Sequence, residues 1–430
     1  MNAWLSLPLP VRLTLLAILG AVAGSAVNWA VYALAFTPRP ISPWSSPPPK
    51  AARRSWLARV PIIGWWYLRS ESPIHGTGFW FRPLCLEVAT AALFVFLYSW
   101  EVDLAGLVPE LPRPVKVIGW NMQADEKPAL LHAEYASHIV LLALMLAASF
   151  IDIDEKIIPD EITVPGTLLG LVIAAALPMS LLPIIYYPPH VLAPTLAPLH
   201  LCGPLRWPDA LDGSPHILSL GIGLGCLWLW CFALVERPWR SRRGFAFALK
   251  MCCARMFRSF LSPIRLGIAL LGSAAIVGVW LFGSAAAWQS LLTALVGMSG
   301  GSCLIWVVRL IGFAALRKEA MGFGDVTLMG MIGAFVGWQA CLIIFFLAPL
   351  AGLVIGVAQW ILRRDNEIPY GPFLCLATLG VILCWATVWN RVREHYILGW
   401  QIPAILFVGL VLMAVMLRGW RFIAERWLAK

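Results

Sequence analysis

The sequence is poor in charged residues. Only 13% of its 430 residues are charged, whereas 60% are hydrophobic, and acidic residues are the scarcer sign, with 22 Asp and Glu against 32 Lys and Arg. The mean hydropathy is +0.80. A soluble domain carries about a quarter of its residues as charged side chains, so this composition excludes a soluble globular protein and indicates a membrane protein.

The ten cysteines include no Cys-x-x-Cys pair. The sequence therefore predicts neither a zinc site nor a disulfide framework, and no glycine-rich nucleotide loop is present, so we expect no metal and no cofactor. The net charge of +10 could suggest nucleic acid. Since the Lys and Arg residues fall between apolar segments, as in cytoplasmic loops that face anionic lipid, we expect membrane lipid as a partner and no nucleic acid.

Long apolar runs are abundant, and eleven of them approach the roughly 20 residues that cross a bilayer. Only helices and closed barrels satisfy the backbone in lipid, and these runs lack the alternation of barrel strands. The fold class is therefore an all-α polytopic membrane protein with about eleven transmembrane helices. The predicted helices are 11–36, 84–100, 133–151, 162–186, 216–235, 266–287, 290–314, 326–345, 347–362, 371–389 and 400–418.

Loop charge predicts the orientation of these helices. Segments 37–83 and 236–265 are rich in Lys and Arg, whereas 187–215 has only Arg206. Basic loops stay in the cytoplasm, so we expect the N-terminus outside and the basic C-terminal tail inside.

Five carboxylates cluster in FIDIDEKIIPDEIT, at the predicted cytoplasmic boundary of two helices: Asp152, Asp154, Glu155, Asp160 and Glu161. Far along the chain, Asp325 ends the sequence MGFGD at the cytoplasmic start of another helix. The predicted topology places both sequences on one face of the membrane. Ionisable groups at membrane depth are costly and mark candidate functional sites.

Two carboxylates can hydrolyse a peptide bond when one is ionised and the other protonated. Like charges held close produce this division, because ionisation of one disfavours ionisation of the other. Asp152 and Asp325 are the candidate pair, and Gly322 and Gly324 would let the backbone bend and a substrate approach closely. Alternatively, Asp325 caps its helix, and Asp154, Glu155 and Glu161 belong to a solvated turn.

These residues carry a family resemblance. IDIDEKIIPDEITVP and MGFGD resemble the paired motifs of bacterial prepilin peptidases, the GxGD-type aspartic proteases of the type IV leader peptidase family. The resemblance implies Asp152 and Asp325 as the catalytic aspartates, supported by Gly322, Gly324, Asp154 and Asp160. Weaker matches are GSAVN (24–28), VPIIGWW (60–66), the segment 82–90 with Glu87, and IPYGPFL (368–374). For Ser25, Asn28 and Glu87 we expect interhelical hydrogen bonds rather than chemistry.

The sequence departs from the family pattern at three places. Loop 37–83 lacks the paired cysteines common in the family, which puts the N-methyltransferase activity of many members in doubt. Thr327 stands where the family usually has lysine. Against an eight-helix family core, residues 187–288 are interpreted as a two-helix insertion and the helix at 400–418 as an addition. This divides the chain into 1–186, 187–288, 289–390 and 391–430.

The resemblance implies an endopeptidase of the bacterial inner membrane that cleaves leader peptides from prepilins or pseudopilins at the cytoplasmic face. Such substrates belong to type IV pili and type II secretion. Two other hypotheses stay open. An inactive homologue with an assembly role would fit Thr327 and the missing cysteines, and a cation- or proton-coupled transporter would use the same carboxylates.

Overall fold

The structure is a computed structural model. It describes residues 2–39, 41–48, 51, 54–108, 126–186, 195–234, 262–316, 321–363, 369–399 and 401–428. Most of the predicted basic loop 236–265 lies outside the described residues. Apart from one short β-hairpin, the regular structure in the described ranges is helical. The prediction of an all-α polytopic membrane protein is confirmed.

The first half of the chain contains two long helices before the Asp152 segment and two helices around it. Short single-turn helices occupy the loop between the first two long ones. In chain order the helices are α1 (Asn2–Leu5), α2 (Leu9–Ala33), α3 (Ile63–Leu68), α4 (Ser72–His75), α5 (Phe81–Leu97), α6 (Glu126–Glu155) and α7 (Asp160–Ala176). A π-helical turn, Tyr98–Asp103, continues α5.

The second half begins with the hairpin, whose strands β1 (Pro183–Tyr186) and β2 (Thr195–Pro198) pair antiparallel, with Pro183 opposite Pro198. Seven helices follow within the described ranges. They are α8 (Ile217–Ala233), α9 (Pro263–Phe282), α10 (Ala285–Leu316), α11 (Phe323–Arg363), α12 (Gly371–Leu383), α13 (Trp385–Val392) and α14 (Gln401–Leu428).

Besides shifts at other helix ends, the structure differs from the predicted helices at three places. The helix predicted at 162–186 ends at Ala176, because Pro178 disfavours a helical conformation at Leu177. The last four residues of the predicted segment, 183–186, form β1 instead. The helices predicted at 326–345 and 347–362 form one run, α11, which breaks at Gly337 with φ of 80°. The helix predicted at 371–389 bends by 85° between α12 and α13.

Six described helices are long and apolar enough to cross a membrane, and the bent pair α12 and α13 could provide a seventh crossing. Helix α8 and the apolar stretch Ala404–Met416 within α14 fall below that length. The chain is therefore a multi-pass membrane protein. The predicted number of eleven crossings and the predicted orientation stay predictions.

Helix α11 forms the centre of the molecule and packs against α7, α10 and α12. Its first half is buried on all sides, with Met329, Met331, Ile332 and Phe335 no more than 1% exposed. Where α11 crosses α10, a Cβ at Gly297 would lie 2.2 Å from the carbonyl oxygen of Gly333. Only glycine permits this backbone approach. The close crossing sets the position of α11 relative to α10.

Candidate active site

Asp152 lies in the last turn of α6 and is 5% exposed. Its Oδ2 accepts a hydrogen bond of 3.0 Å from the backbone N–H of Gly371, the first residue of α12. The side chain is thus held between the end of one helix and the start of another. This contact joins residues that the sequence separates widely.

Asp325 lies in the first turn of α11 and is 7% exposed. Its carboxylate accepts a hydrogen bond from the backbone of Gly322. The helix begins at Phe323, so Asp325 lies within it. Asp325 is the third residue of the helix rather than its N-cap residue, but its bond to Gly322 satisfies a backbone donor at the helix start, so a capping role for Asp325 stays open.

Asp152 and Asp325 line the same cavity, which has a volume of about 690 Å³. Its walls come from the end of α2, the end of α6, the turn into α7 and the start of α11. The lining residues are 33–36, 151–152, 155–161 and 322–325. Two buried carboxylates beside an open cavity can act together on a group that enters it.

Three glycines lie at this site, and two of them bring its elements together. A Cβ at Gly324 would lie 2.8 Å from the Cβ of Ile158, so this glycine packs the start of α11 against the turn before α7. A Cβ at Gly371 would lie 2.6 Å from Oδ2 of Asp152. At Gly322 the nearest atom is Oδ2 of Asp325 at 3.6 Å, an ordinary contact. The expectation that Gly322 and Gly324 leave room for a substrate stays a prediction.

The other carboxylates of the cluster have separate surroundings. Asp154 is exposed, is absent from the cavity lining, and accepts hydrogen bonds of 2.8 Å from Arg82. Asp160 is the first residue of α7 and lines the cavity with Glu161. Glu155 accepts hydrogen bonds from residues 36 and 37, and this contact ties α6 to the segment after α2.

Glu87 is the centre of a separate buried network and is 1% exposed. It accepts hydrogen bonds from the Ser25 hydroxyl at 2.6 Å, the Trp65 indole at 2.9 Å and the Asn28 amide at 3.2 Å. The backbone N–H of Ile62 donates to it as well. This network joins α2, α3 and α5. The interhelical hydrogen bonds expected of Ser25, Asn28 and Glu87 are present.

Thr327 is 3% exposed, and its hydroxyl donates to the carbonyl oxygen of Gly324 at 3.0 Å. The Thr327 side chain therefore hydrogen-bonds within the first turn of its own helix. Among the described residues, no group of three or more His, Cys, Asp and Glu side chains could hold a metal ion.

Sequence reasoning missed Gly371 and Ile158 as parts of this site. Gly371 belongs to IPYGPFL, which resembles a family motif, but nothing in that pattern indicates that its N–H reaches Asp152. Ile158 lies in the acidic segment and carries no chemistry. Its role comes only from contact with Gly324 and Gly371.

The fold and this site define a polytopic helical membrane protein with two buried carboxylates facing one cavity. The family model "Type IV leader peptidase family" matches residues 139–237 and 244–357, about half of the chain. Both candidate aspartates lie inside the matched ranges. The chain belongs to the type IV leader peptidase family.

Several curated relatives are named "Prepilin leader peptidase/N-methyltransferase". The relative from Aeromonas hydrophila is 34% identical over 111 residues, which are 25% of this chain and 38% of the relative. The one from Pectobacterium carotovorum subsp. carotovorum is 30% identical over 166 residues, 38% of this chain and 56% of the relative. The one from Pseudomonas aeruginosa is 37% identical over 101 residues, 23% of this chain and 34% of the relative.

Each match therefore spans only about a third to just over half of the relative's length. No solved structure matches the chain.

Proposed function

We propose that this protein is a membrane aspartic endopeptidase that cleaves leader peptides from prepilins or pseudopilins. The observation that carries the proposal is the meeting of Asp152 and Asp325, both buried, at one cavity. Family membership and the names of the curated relatives support the substrate class. The active site would face the cytoplasm of a bacterial inner membrane, as the loop charges predict.

In the proposed reaction, the ionised aspartate accepts a proton from a water molecule in the cavity, and the water oxygen attacks the scissile carbonyl carbon. The protonated aspartate donates a hydrogen bond to the carbonyl oxygen and polarises it. As the tetrahedral intermediate collapses, the C–N bond breaks and a carboxyl group returns a proton to the leaving amine. The two carboxyls share one proton and titrate as a unit.

Burial supports this division of roles. Both carboxylates are buried, so two ionised groups here would repel each other and pay a desolvation cost, and a state with one proton between them is favoured. No metal is required for this chemistry. The proposal covers the peptidase alone. For methyl transfer from labelled S-adenosylmethionine to the new N-terminus, our expectation is no activity.

The test is a cleavage assay with purified protein in lipid vesicles and a prepilin substrate that carries its leader. We expect Asp152→Asn and Asp325→Asn each to abolish cleavage, because an amide can replace neither the base nor the acid. Asp103→Asn is the matched control, because Asp103 is an exposed carboxylate that lies beyond the end of α5 and away from the cavity. This variant should cleave the substrate at the wild-type rate. A folded Asp152→Asn or Asp325→Asn protein that kept near wild-type cleavage would show that the pair is assigned wrongly.

A further inference from the structure

Asp154 belongs to the same acidic segment as Asp152, but the proposed reaction gives it no part. It follows Asp152 by two residues, which is about 200° around a helix with 3.6 residues per turn. Asp152 lines the cavity and Asp154 does not, so the two side chains lie on opposite sides of the end of α6. Phe150, four residues before Asp154, lies on the same side as Asp154. Phe150 and Asp154 therefore form the side of α6 that is turned away from the cavity.

Arg82, in the first turn of α5, contacts this side of α6 at three points. Its Nη1 donates to the Asp154 carboxylate and lies 2.8 Å from each oxygen. Its Nη2 donates to the backbone carbonyl oxygen of Phe150 at 3.4 Å, and the guanidinium carbon lies 4.9 Å from the centre of the Phe150 ring. Arg82 thus binds the residues that lie two before and two after Asp152.

Asp152 is therefore supported from two sides. On the cavity side its Oδ2 accepts the hydrogen bond of 3.0 Å from the backbone N–H of Gly371. On the opposite side Arg82 holds the turn of helix that carries it. Because the backbone hydrogen bonds make a helical turn rigid, a shift of Phe150 and Asp154 would shift Asp152 with them.

Arg82 is itself fixed by the buried network around Glu87, which lies on the same helix. The Glu87 carboxylate accepts hydrogen bonds from Ser25 on α2 and from Trp65 on α3. These bonds join α5 to two other elements at its start. Arg82 therefore connects the end of α6 to a group of helices that hydrogen bonds already hold together.

The ion pair between Arg82 and Asp154 is open to solvent, with the two side chains 40% and 22% exposed. Such pairs contribute little to global stability, because water screens the charges and two long side chains must be ordered. Loss of this pair should therefore leave the fold intact and act on the local geometry of α6. Its effect on catalysis can then be measured on folded protein.

We propose that Arg82 and Asp154 are positioning residues that hold the last turn of α6, and with it Asp152, at its proper distance from Asp325. The inference rests on the proposed function and adds to it two residues that act through Asp152. It also gives the second aspartate of the sequence IDID a role that differs from that of the first.

The first test measures kcat and KM in the vesicle cleavage assay. A displacement near 1 Å at a catalytic group costs about 10²-fold, and the bond from Gly371 limits the displacement here, so we expect Arg82→Gln and Asp154→Ala each to lower kcat about tenfold. KM should stay within about twofold of wild type. The double variant should also lose about tenfold, since both changes break the same contact. A hundredfold loss in the double variant would show that the two residues act independently and would overturn the inference.

The matched control is Arg59→Gln. Arg59 is an exposed arginine of the loop between α2 and α5, and it does not line the cavity. This variant removes the same charge and should cleave at the wild-type rate. A tenfold loss of kcat in Arg59→Gln would show that net charge, and not the contact with α6, causes the effect.

The second test is the pH profile of kcat. The separation between Asp152 and Asp325 sets how strongly the two carboxyls repel each other, and so where the pair titrates. We expect the limbs of the profile to shift in Arg82→Gln and in Asp154→Ala. A smaller folded fraction would lower kcat without moving these limbs, so an unchanged profile would make the pair merely structural and would overturn the inference.

Two conservative variants complete the set. Asp154→Asn keeps one acceptor oxygen and should lower kcat by less than Asp154→Ala. Arg82→Lys keeps the charge but loses the planar fork, and it replaces Arg82→Gln if that protein is not monodisperse after purification. Failure of the wild-type protein to cut the substrate would refute the proposed function and this inference with it. Cleavage by wild type, with near wild-type kcat in the Arg82 and Asp154 variants, would refute the inference alone.

Discussion

The contact between Gly371 and Asp152 provides the sharpest prediction. In Gly371→Ala the new Cβ would lie 2.6 Å from Oδ2 of Asp152 and 2.8 Å from Cδ1 of Ile158. Ordinary contact begins at 3.4 Å, so the carboxylate must retreat by about 0.8 Å, the difference between 3.4 and 2.6 Å. The alanine keeps the backbone N–H, but the hydrogen bond of 3.0 Å can no longer form at its present geometry.

A displacement near 1 Å at a catalytic group lowers the rate by about 10²-fold, which is about 2.7 kcal/mol in the activation free energy. We expect this loss in kcat for Gly371→Ala, measured in the vesicle cleavage assay. The fold should survive, since alanine is a better helix residue than glycine. Thermal unfolding of the purified variant checks this point.

Gly380→Ala is the matched control because Gly380 lies on the same helix, and a Cβ there would meet nothing within 4 Å. It should cleave at the wild-type rate. If folded Gly371→Ala also cleaved at nearly that rate, the tight placement of Asp152 against α12 would not matter for catalysis, and the reasoning from this geometry would be wrong.

Two further predictions concern the supports of the site. In Gly324→Ala the new Cβ would lie 2.8 Å from the Cβ of Ile158, so the cleavage rate should fall by about 10²-fold. In Gly322→Ala the nearest atom to the new Cβ lies at 3.6 Å, so the cleavage rate should fall much less. Equal losses in the two alanine variants would contradict the packing role of Gly324. In Glu87→Gln the amide NH2 replaces a carboxylate oxygen and cannot accept hydrogen bonds from the donors around it. The free energy of unfolding should therefore fall by about 2 kcal/mol. Urea or thermal unfolding in detergent measures this, and an unchanged stability would show that the Glu87 network contributes nothing.

Local patterns in the sequence determined which parts of the chain form long apolar helices. Runs such as 11–36 and 290–314 are apolar over enough residues that only a helix can satisfy their backbone in lipid. The observed helices Leu9–Ala33 and Ala285–Leu316 follow them closely. Helix ends were harder to predict when they depended on one residue, as at Pro178 and at Gly337 with its positive φ.

The sequence also determined the candidate aspartates, because carboxylates are rare in this chain and two of them stand in recognisable motifs. Only the tertiary structure decided that Asp152 and Asp325 share a cavity, that the backbone of Gly371 binds Asp152, and that Glu155 accepts hydrogen bonds from residues 36 and 37. These contacts join residues far apart in sequence through helix packing around α11. Local composition and periodicity carry no information about such packing, since they report which face of a helix is apolar but not which helix covers it.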